Sequence, residues 1–282
     1  MTGDQPRATG CWFLVAPLYH PPVPLTYASY LRIPELLALQ QPLSDGPEHD
    51  ETLFIVIHQV YELWFKQQLH EAAHLRDRLA ANDAMQAGAT LKRMLTILKT
   101  MVAQIDVLET MTPVSFLSFR ARLESSSGFQ SSQFREFEFV LGHKRRGPLG
   151  NYPPGSPERT TLERRLGEPT VWSAFLRYLQ AAGFAVPAEA FAGDIEQPTT
   201  ECPALHPVLI DIYHNHPAQR QTCELLVDLD EGIQEWRYRH IKMVERTIGR
   251  KPGTGGSPGV EYLARTLFQP LFPDLWAIRA AL

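Results

Sequence analysis

Cysteine is scarce in this chain: three in 282 residues, Cys11, Cys202 and Cys223. That is too few and too scattered for a disulfide framework, and the odd count fits a reducing compartment. Neither sign of charge is in excess. Lys and Arg total 27 against 31 Asp and Glu, leaving −4 with histidine neutral. That balance argues against a nucleic-acid binder and gives no pull toward anionic membranes. Long apolar runs are absent too. The stretch Trp12–Tyr19 is broken by Pro17 and follows no basic segment, so it makes a poor signal peptide. Nothing approaches the roughly 20 apolar residues that a membrane span needs. The expectation is a soluble, cytoplasmic protein. Sustained period-two alternation and internal repeats are also missing, which removes the β classes and solenoids.

What remains is helical pattern. At 44% hydrophobic content, a chain of this length can bury a core without a disulfide or metal staple. No Pro or Gly interrupts the stretch from His49 to Ala81, where Leu53, Ile57, Val60, Trp64, Leu69, Ala72 and Leu79 recur at steps of three and four, with slips. Asn82 and Asp83 interrupt, and a second helix carries Leu91, Met94, Leu95, Leu98, Val102, Ile105 and Leu108. Thr112-Pro113 is a helix start, with Thr as N-cap and Pro in the first turn. Phe134 to Leu141 is helical, with Gly142 as stop. Further helices are expected over 170–182 and about 218–248, ending at Gly249. Residues 1–24 read as an extended Pro-rich arm, 143–169 as a surface excursion with a short helix around 160–166, and 184–205 as loop. The basic run Lys144-Arg145-Arg146 reads as a solvated turn rather than a nucleic-acid patch. The fold class is all-α: one domain, 1–282, with two long antiparallel helices as its spine and a pocket between long helices.

Several motifs carry possible chemistry. His70-Glu71-Ala72-Ala73-His74 matches the helical H-E-x-x-H of zinc proteases, but no third ligand follows and no strand lies beside it, so chance is the better reading. Cys202, His206, His214 and His216 cluster soft ligands without a C-x-x-C pair, and Pro207 and Pro217 break the segment; a turn-rich connector with polar caps explains them. Gly253 to Gly259 is a Gly-rich loop without Walker spacing and after a helix, which suits closure over a small ligand, with Thr254 as a hydroxyl donor. Phe54 and His58 share one face of the first long helix. His240 sits on an apolar face with Ile233, Trp236 and Val244. That is the setting of an axial haem ligand, and equally of an ordinary core histidine.

Four blocks in order, LTYASYLRIPELLALQQPLS, HDETLFIVIHQVYELWFKQ, FLSFRARLESSSGFQSSQFREFEFVLG and EWRYRHIKMVERTIGRKPGTGGSPGVEYL, resemble the tryptophan 2,3-dioxygenase family. The resemblance runs from about residue 25 to the C-terminus and is thinnest over 143–205. It implies an all-helical homotetramer with one b-type haem per chain, which inserts dioxygen across the indole C2–C3 bond of L-tryptophan to give N-formyl-L-kynurenine. By matching motifs it implies His240 as axial ligand of the haem iron and His58 as the distal residue holding the indole N–H. Phe54 becomes the indole wall and Arg120 the carboxylate partner. Phe116, Leu123, Ser127 and Gly128 line the pocket, and Thr254 contacts the substrate's ammonium and carboxylate. Tyr27, Tyr30 and Leu31 fall in a segment that reaches a neighbouring subunit's pocket. Pro258 stands where the family loop usually has a second Ser, which implies stiffer closure. Two alternatives stay open: a family offshoot inserting one oxygen into tryptophan or a methyltryptophan, and a non-catalytic haem or tryptophan sensor.

Overall fold

Caps and apolar periodicity place the helices, and Pro and Gly end them. The computed structural model describes residues 24–46, 48–124, 126, 128–249, 251 and 260–282, and no strand occurs among them. The chain divides into two compact units, one ending at Gln40 and one running from Gln41 to Leu282. The first contains α1 (Tyr27–Leu31) and α2 (Ile33–Leu37). Thr26 and Ser29 form a reciprocal capping box at the start of α1, and Arg32 turns the chain in a left-handed conformation with φ 52°.

The second unit is built on α3 (His49–Ala80), α4 (Ala84–Leu108) and, much later, α10 (Pro217–Ile248), of 32, 25 and 32 residues. The spine therefore has three long helices rather than two, with α4 packed against both α3 and α10. Asp83 caps α4 by accepting from the Gln86 N–H at 3.1 Å, after Asn82 has turned the chain at φ 55°. The α4–α10 contact is close because Gly232 lacks a side chain: a Cβ there would lie 2.8 Å from Leu98 Cδ2. Leu91, Met94, Leu98, Met101 and Ile105 of α4 are buried against Leu226, Leu229 and Ile233 of α10 and Ala72, Leu75 and Leu79 of α3. Fully burying side chains of this size contributes roughly 1.5–3 kcal/mol each.

Shorter helices close the ends. α5 (Pro113–Arg120) starts as expected, with Thr112 Oγ1 accepting from the Ser115 N–H at 3.1 Å. α6 (Ser132–Leu141) stops at Gly142, φ 121°, where a Cβ would lie 2.5 Å from Thr199 Oγ1. The short helix expected within the surface excursion is present, but part of that region is buried. α7 (Pro157–Leu166) packs Leu162 and Leu166 against Phe139, Leu149 and Tyr152 in a small core of its own. Lys144, expected to be solvated, is 1% exposed, because its ammonium is held by the carbonyls of Leu166 and Glu168 at the end of α7. Burial pushes its pKa down to about 8.

α8 (Val171–Ala181) buries Trp172, Phe175 and Leu179 in the main core. The segment expected as a turn-rich connector contains α9 (His206–Asn215). Pro207 does not break it; it sits in the first turn, where the missing N–H is needed by no partner, as Pro217 does in α10. α11 (Val260–Ala264) and α12 (Pro273–Ala277) end the chain. Asp230 of α10 anchors that end by accepting from the N–H groups of Leu271 and Phe272 and from Trp276 Nε1 at 2.8, 3.1 and 2.9 Å.

Candidate functional site

One cavity of about 1590 Å³, counting its open mouth, lies between α3, α5, α6 and α10. The lining is mostly apolar and aromatic, with a few convergent polar groups.

From α3 come Phe54 and His58, one turn apart. Their rings lie 4.1 Å apart, and Phe54 also packs on Phe116 at 5.8 Å and Phe119 at 5.6 Å, both from α5. The aromatic wall is therefore fixed by packing from two helices. His58 Nδ1 lies 2.7 Å from the Phe54 carbonyl oxygen. A carbonyl only accepts, so Nδ1 carries the proton and Nε2 is left as an acceptor. Burial lowers the His58 pKa, outweighing the Phe54 carbonyl and Glu62, which raise it. The ring is neutral at pH 7.

From α10 comes His240. Its ring stacks on Trp236 with centroids 5.2 Å apart and planes 8° from parallel. Trp236 is itself wedged against Phe134, Phe65 and Tyr61 at 4.8, 6.0 and 6.3 Å. Burial pushes the His240 pKa down to about 4, with smaller contributions from His58 and Arg135. This imidazole is neutral, faces an apolar chamber and, among the described residues, makes no hydrogen bond. An axial haem site asks for a neutral nitrogen donor, held in orientation and not engaged elsewhere, beside a large dry space. His240 meets those demands.

Arg120, at the end of α5, also lines the cavity, with Phe116, Leu123 and Gly128. The structure thus brings together seven of the residues expected from sequence: Phe54, His58, Phe116, Arg120, Leu123, Gly128 and His240. Ser127, Thr254 and Pro258 lie outside the described residues. Tyr27, Tyr30 and Leu31 belong to the first unit and are exposed at 78%, 72% and 43%.

A protein-family model described as tryptophan 2,3-dioxygenase matches residues 22–150 and 203–282. The chain belongs to the tryptophan 2,3-dioxygenase family. Among curated relatives, the tryptophan 2,3-dioxygenase of Herpetosiphon aurantiacus is 60% identical over 258 residues, covering 92% of this chain and 98% of its own. That of Anaeromyxobacter sp. (strain K) is 56% identical over 260 residues, with 92% and 96% covered. That of Caulobacter vibrioides is 41% identical over 261 residues, with 92% and 98% covered. The family match omits 151–202, within the span where the sequence motifs are thinnest; in this dioxygenase-family chain that span holds α7 and α8.

The other motifs lead elsewhere. His70 and His74 are exposed, while Glu71 is buried and accepts from Gln67 at 2.7 Å and Arg93 at 3.3 Å. His206 pairs with Asp274 and His216 with Asp211, each at 3.2 Å. Among the described residues no group of three or more His, Cys, Asp or Glu is arranged to hold a metal ion, and no helix is long and apolar enough to cross a membrane.

Sequence reasoning missed the charged part of the cavity wall. Arg135 and Glu138 of α6 and Arg237 of α10 all line it, and all are buried. The available signal was an Arg and a Glu three apart inside the aromatic run FREFEF, where a buried ion pair is one of the few ways to keep charge in an apolar helix.

Proposed function

We propose that this chain is a haem-dependent dioxygenase that opens the indole C2–C3 bond of L-tryptophan with dioxygen and releases N-formyl-L-kynurenine. The observation that carries the reading is the pair of neutral imidazoles, His58 and His240, lining one large apolar cavity from two different long helices, with Arg120 in the same wall. When bound, haem would supply the iron at which dioxygen is activated.

The chain's own residues do the rest. His240 would hold the haem iron, its ring oriented by the Trp236 stack. Arg120 takes the amino-acid carboxylate, to which a guanidinium can donate two parallel charge-assisted bonds. Phe54, backed by Phe116 and Phe119, is the flat wall for the indole. His58 Nε2 accepts the indole N–H, since the Phe54 carbonyl already holds the Nδ1 proton. That bond orients the ring and requires no proton to leave the substrate. Leu123, Ser127 and Gly128 complete the pocket. Thr254 holds the substrate's ammonium and carboxylate as its Gly-rich loop closes and excludes water. The assembly is a homotetramer, in which Tyr27, Tyr30 and Leu31 enter a neighbouring subunit's pocket, and the protein works in the cytoplasm.

The reading is tested by incubating the haem-loaded, reduced protein with L-tryptophan under ¹⁸O-labelled dioxygen and weighing the product. Two labelled oxygens are expected. A single labelled oxygen, as from an offshoot that makes an oxindole or hydroxylated product, would contradict it, and so would no turnover.

A further inference from the structure

After α11 the chain turns back along α10, and three side chains on one face of that helix hold it. Asp230, Gln234 and Arg237 follow at steps of four and three, so they form a stripe roughly 10 Å long. Arg237 Nη1 donates to the Thr266 carbonyl at 3.1 Å, and Gln234 Nε2 donates to the Gln269 carbonyl at 2.8 Å. Asp230 accepts from the N–H groups of Leu271 and Phe272 and from Trp276 Nε1. Residue numbers fall along α10 as they rise along the returning segment, so the two run antiparallel. Beyond Arg237 the same face continues as Ile241, Val244 and Ile248, which line the cavity.

The returning segment is a strap, with polar anchors at one end and cavity wall at the other. Leu263 and Thr266, at its near end, line the cavity. Local bonds stiffen it. The Thr266 N–H and Oγ1 both donate to the Leu263 carbonyl, at 3.0 and 2.7 Å, and Gln269 Nε2 donates to the Arg265 carbonyl at 2.7 Å. Between the two carbonyls bonded to α10, Phe268 takes the left-handed conformation, φ 58°, and is 92% exposed. A bulky residue keeps that conformation only where its surroundings impose it, and an exposed phenyl ring imposes nothing. The bonds from Arg237 and Gln234 on either side supply the constraint.

We propose that Gln234 is a positioning residue for the substrate: by tying Gln269 to α10, with Asp230 as the fixed end, it sets Leu263 and Thr266 as a rigid part of the pocket wall before tryptophan arrives. This rests on the tryptophan reading above. Gln234 and Asp230 stand outside the cavity wall and act through the strap. A loose wall has to be ordered when the ligand binds, and ordering the backbone of a single residue changes an affinity about tenfold. The strap supplies no reacting group, so this cost falls on binding and not on the rate at saturation.

The test is steady-state kinetics of the haem-loaded, reduced protein with L-tryptophan, paired with amide hydrogen exchange over residues 263–272. Gln234→Leu keeps the bulk and removes the donor. Its KM should rise about three- to tenfold while kcat stays within about twofold of the parent, and exchange in the strap should quicken. Gln234→Lys keeps an N–H donor and should recover most of the parental KM. Arg279→Gln is the control: it frees the last turn of the chain from Tyr213 and Glu224, beyond the Asp230 anchor, and should leave KM alone. Asp230→Leu strands three donors and endangers folding, so the decision rests on Gln234. Unchanged exchange or an unchanged KM in Gln234→Leu would overturn the proposal. So would a Lys variant no better than the Leu variant, or a KM raised equally in Arg279→Gln. A parent that converts no tryptophan would overturn the tryptophan reading and this one with it; a parent that converts it, matched in KM by Gln234→Leu, would overturn this one alone.

Discussion

At the scale of single residues, the site depends on what each polar group is already doing before a ligand arrives. His58 has committed Nδ1 to the Phe54 carbonyl at 2.7 Å, which fixes its tautomer and leaves one acceptor. Replacing His58 with Ala should lower turnover of tryptophan without abolishing it. It should also narrow the difference in affinity between tryptophan and an analogue methylated on the indole nitrogen; an unchanged difference would remove the indole contact. Arg120 offers a guanidinium to the carboxylate of an amino-acid substrate. Arg120→Ala should weaken tryptophan binding by about 2–4 kcal/mol, the loss expected on removing one partner of a desolvated charge pair. Tryptamine, which lacks the carboxylate, should bind the variant and the parent alike. That Phe54, His58, Arg120 and His240 meet in one cavity was legible in sequence, because they sit inside long specific blocks. The Glu138 cluster was not. Its arginines come from α6, from the turn after it and from α10, and Glu138 lies 99 residues from Arg237.

At the scale of elements, helix boundaries were legible wherever a local cap or stop decides them. Thr112 before Pro113, Gly142 after α6 and Gly249 after α10 act through their own backbone and nearest neighbours. The errors arose where position within an element changes the meaning of a residue. Pro207 looks like a breaker and is a helix start, and Lys144 looks solvated and caps a helix from inside. The α4–α10 contact gives a quantitative test. Gly232→Ala places a methyl against Leu98, which is 2% exposed and has little room to retreat. The variant should lose about 1–2 kcal/mol of stability, in the lower range for overpacking. The same substitution should cost less in a Leu98→Ala background, where the space is already vacant. Urea midpoints of the four proteins, with equal slopes, measure both effects.

At the scale of the whole molecule, the loop after α6 faces both the end of α7, whose carbonyls hold Lys144, and the cavity wall. Arg145, next to Lys144 at the foot of α7, reaches Glu138 in the cavity wall. Burial alone would raise the Glu138 pKa, but Arg135, Arg145 and Arg237 outweigh it and hold the carboxyl far below its ordinary 4.5. A depressed folded-state pKa contributes stability that is complete above the unfolded value and is lost as pH falls below about 4.5. The wild type should therefore lose more stability between pH 7 and pH 3.5 than Glu138→Gln does, read as the shift in urea midpoint. Parallel curves would mean that the cluster is not a coupled unit.

Every role proposed for this cavity depends on His240 as the donor to a porphyrin iron. Its most direct test is the absorption spectrum of the full chain supplied with hemin, for the wild type and for His240→Ala. A sharp Soret band that withstands gel filtration in the wild type and is absent in the variant is the predicted result. A colourless wild type, or a variant with the same band and the same retention, would contradict it.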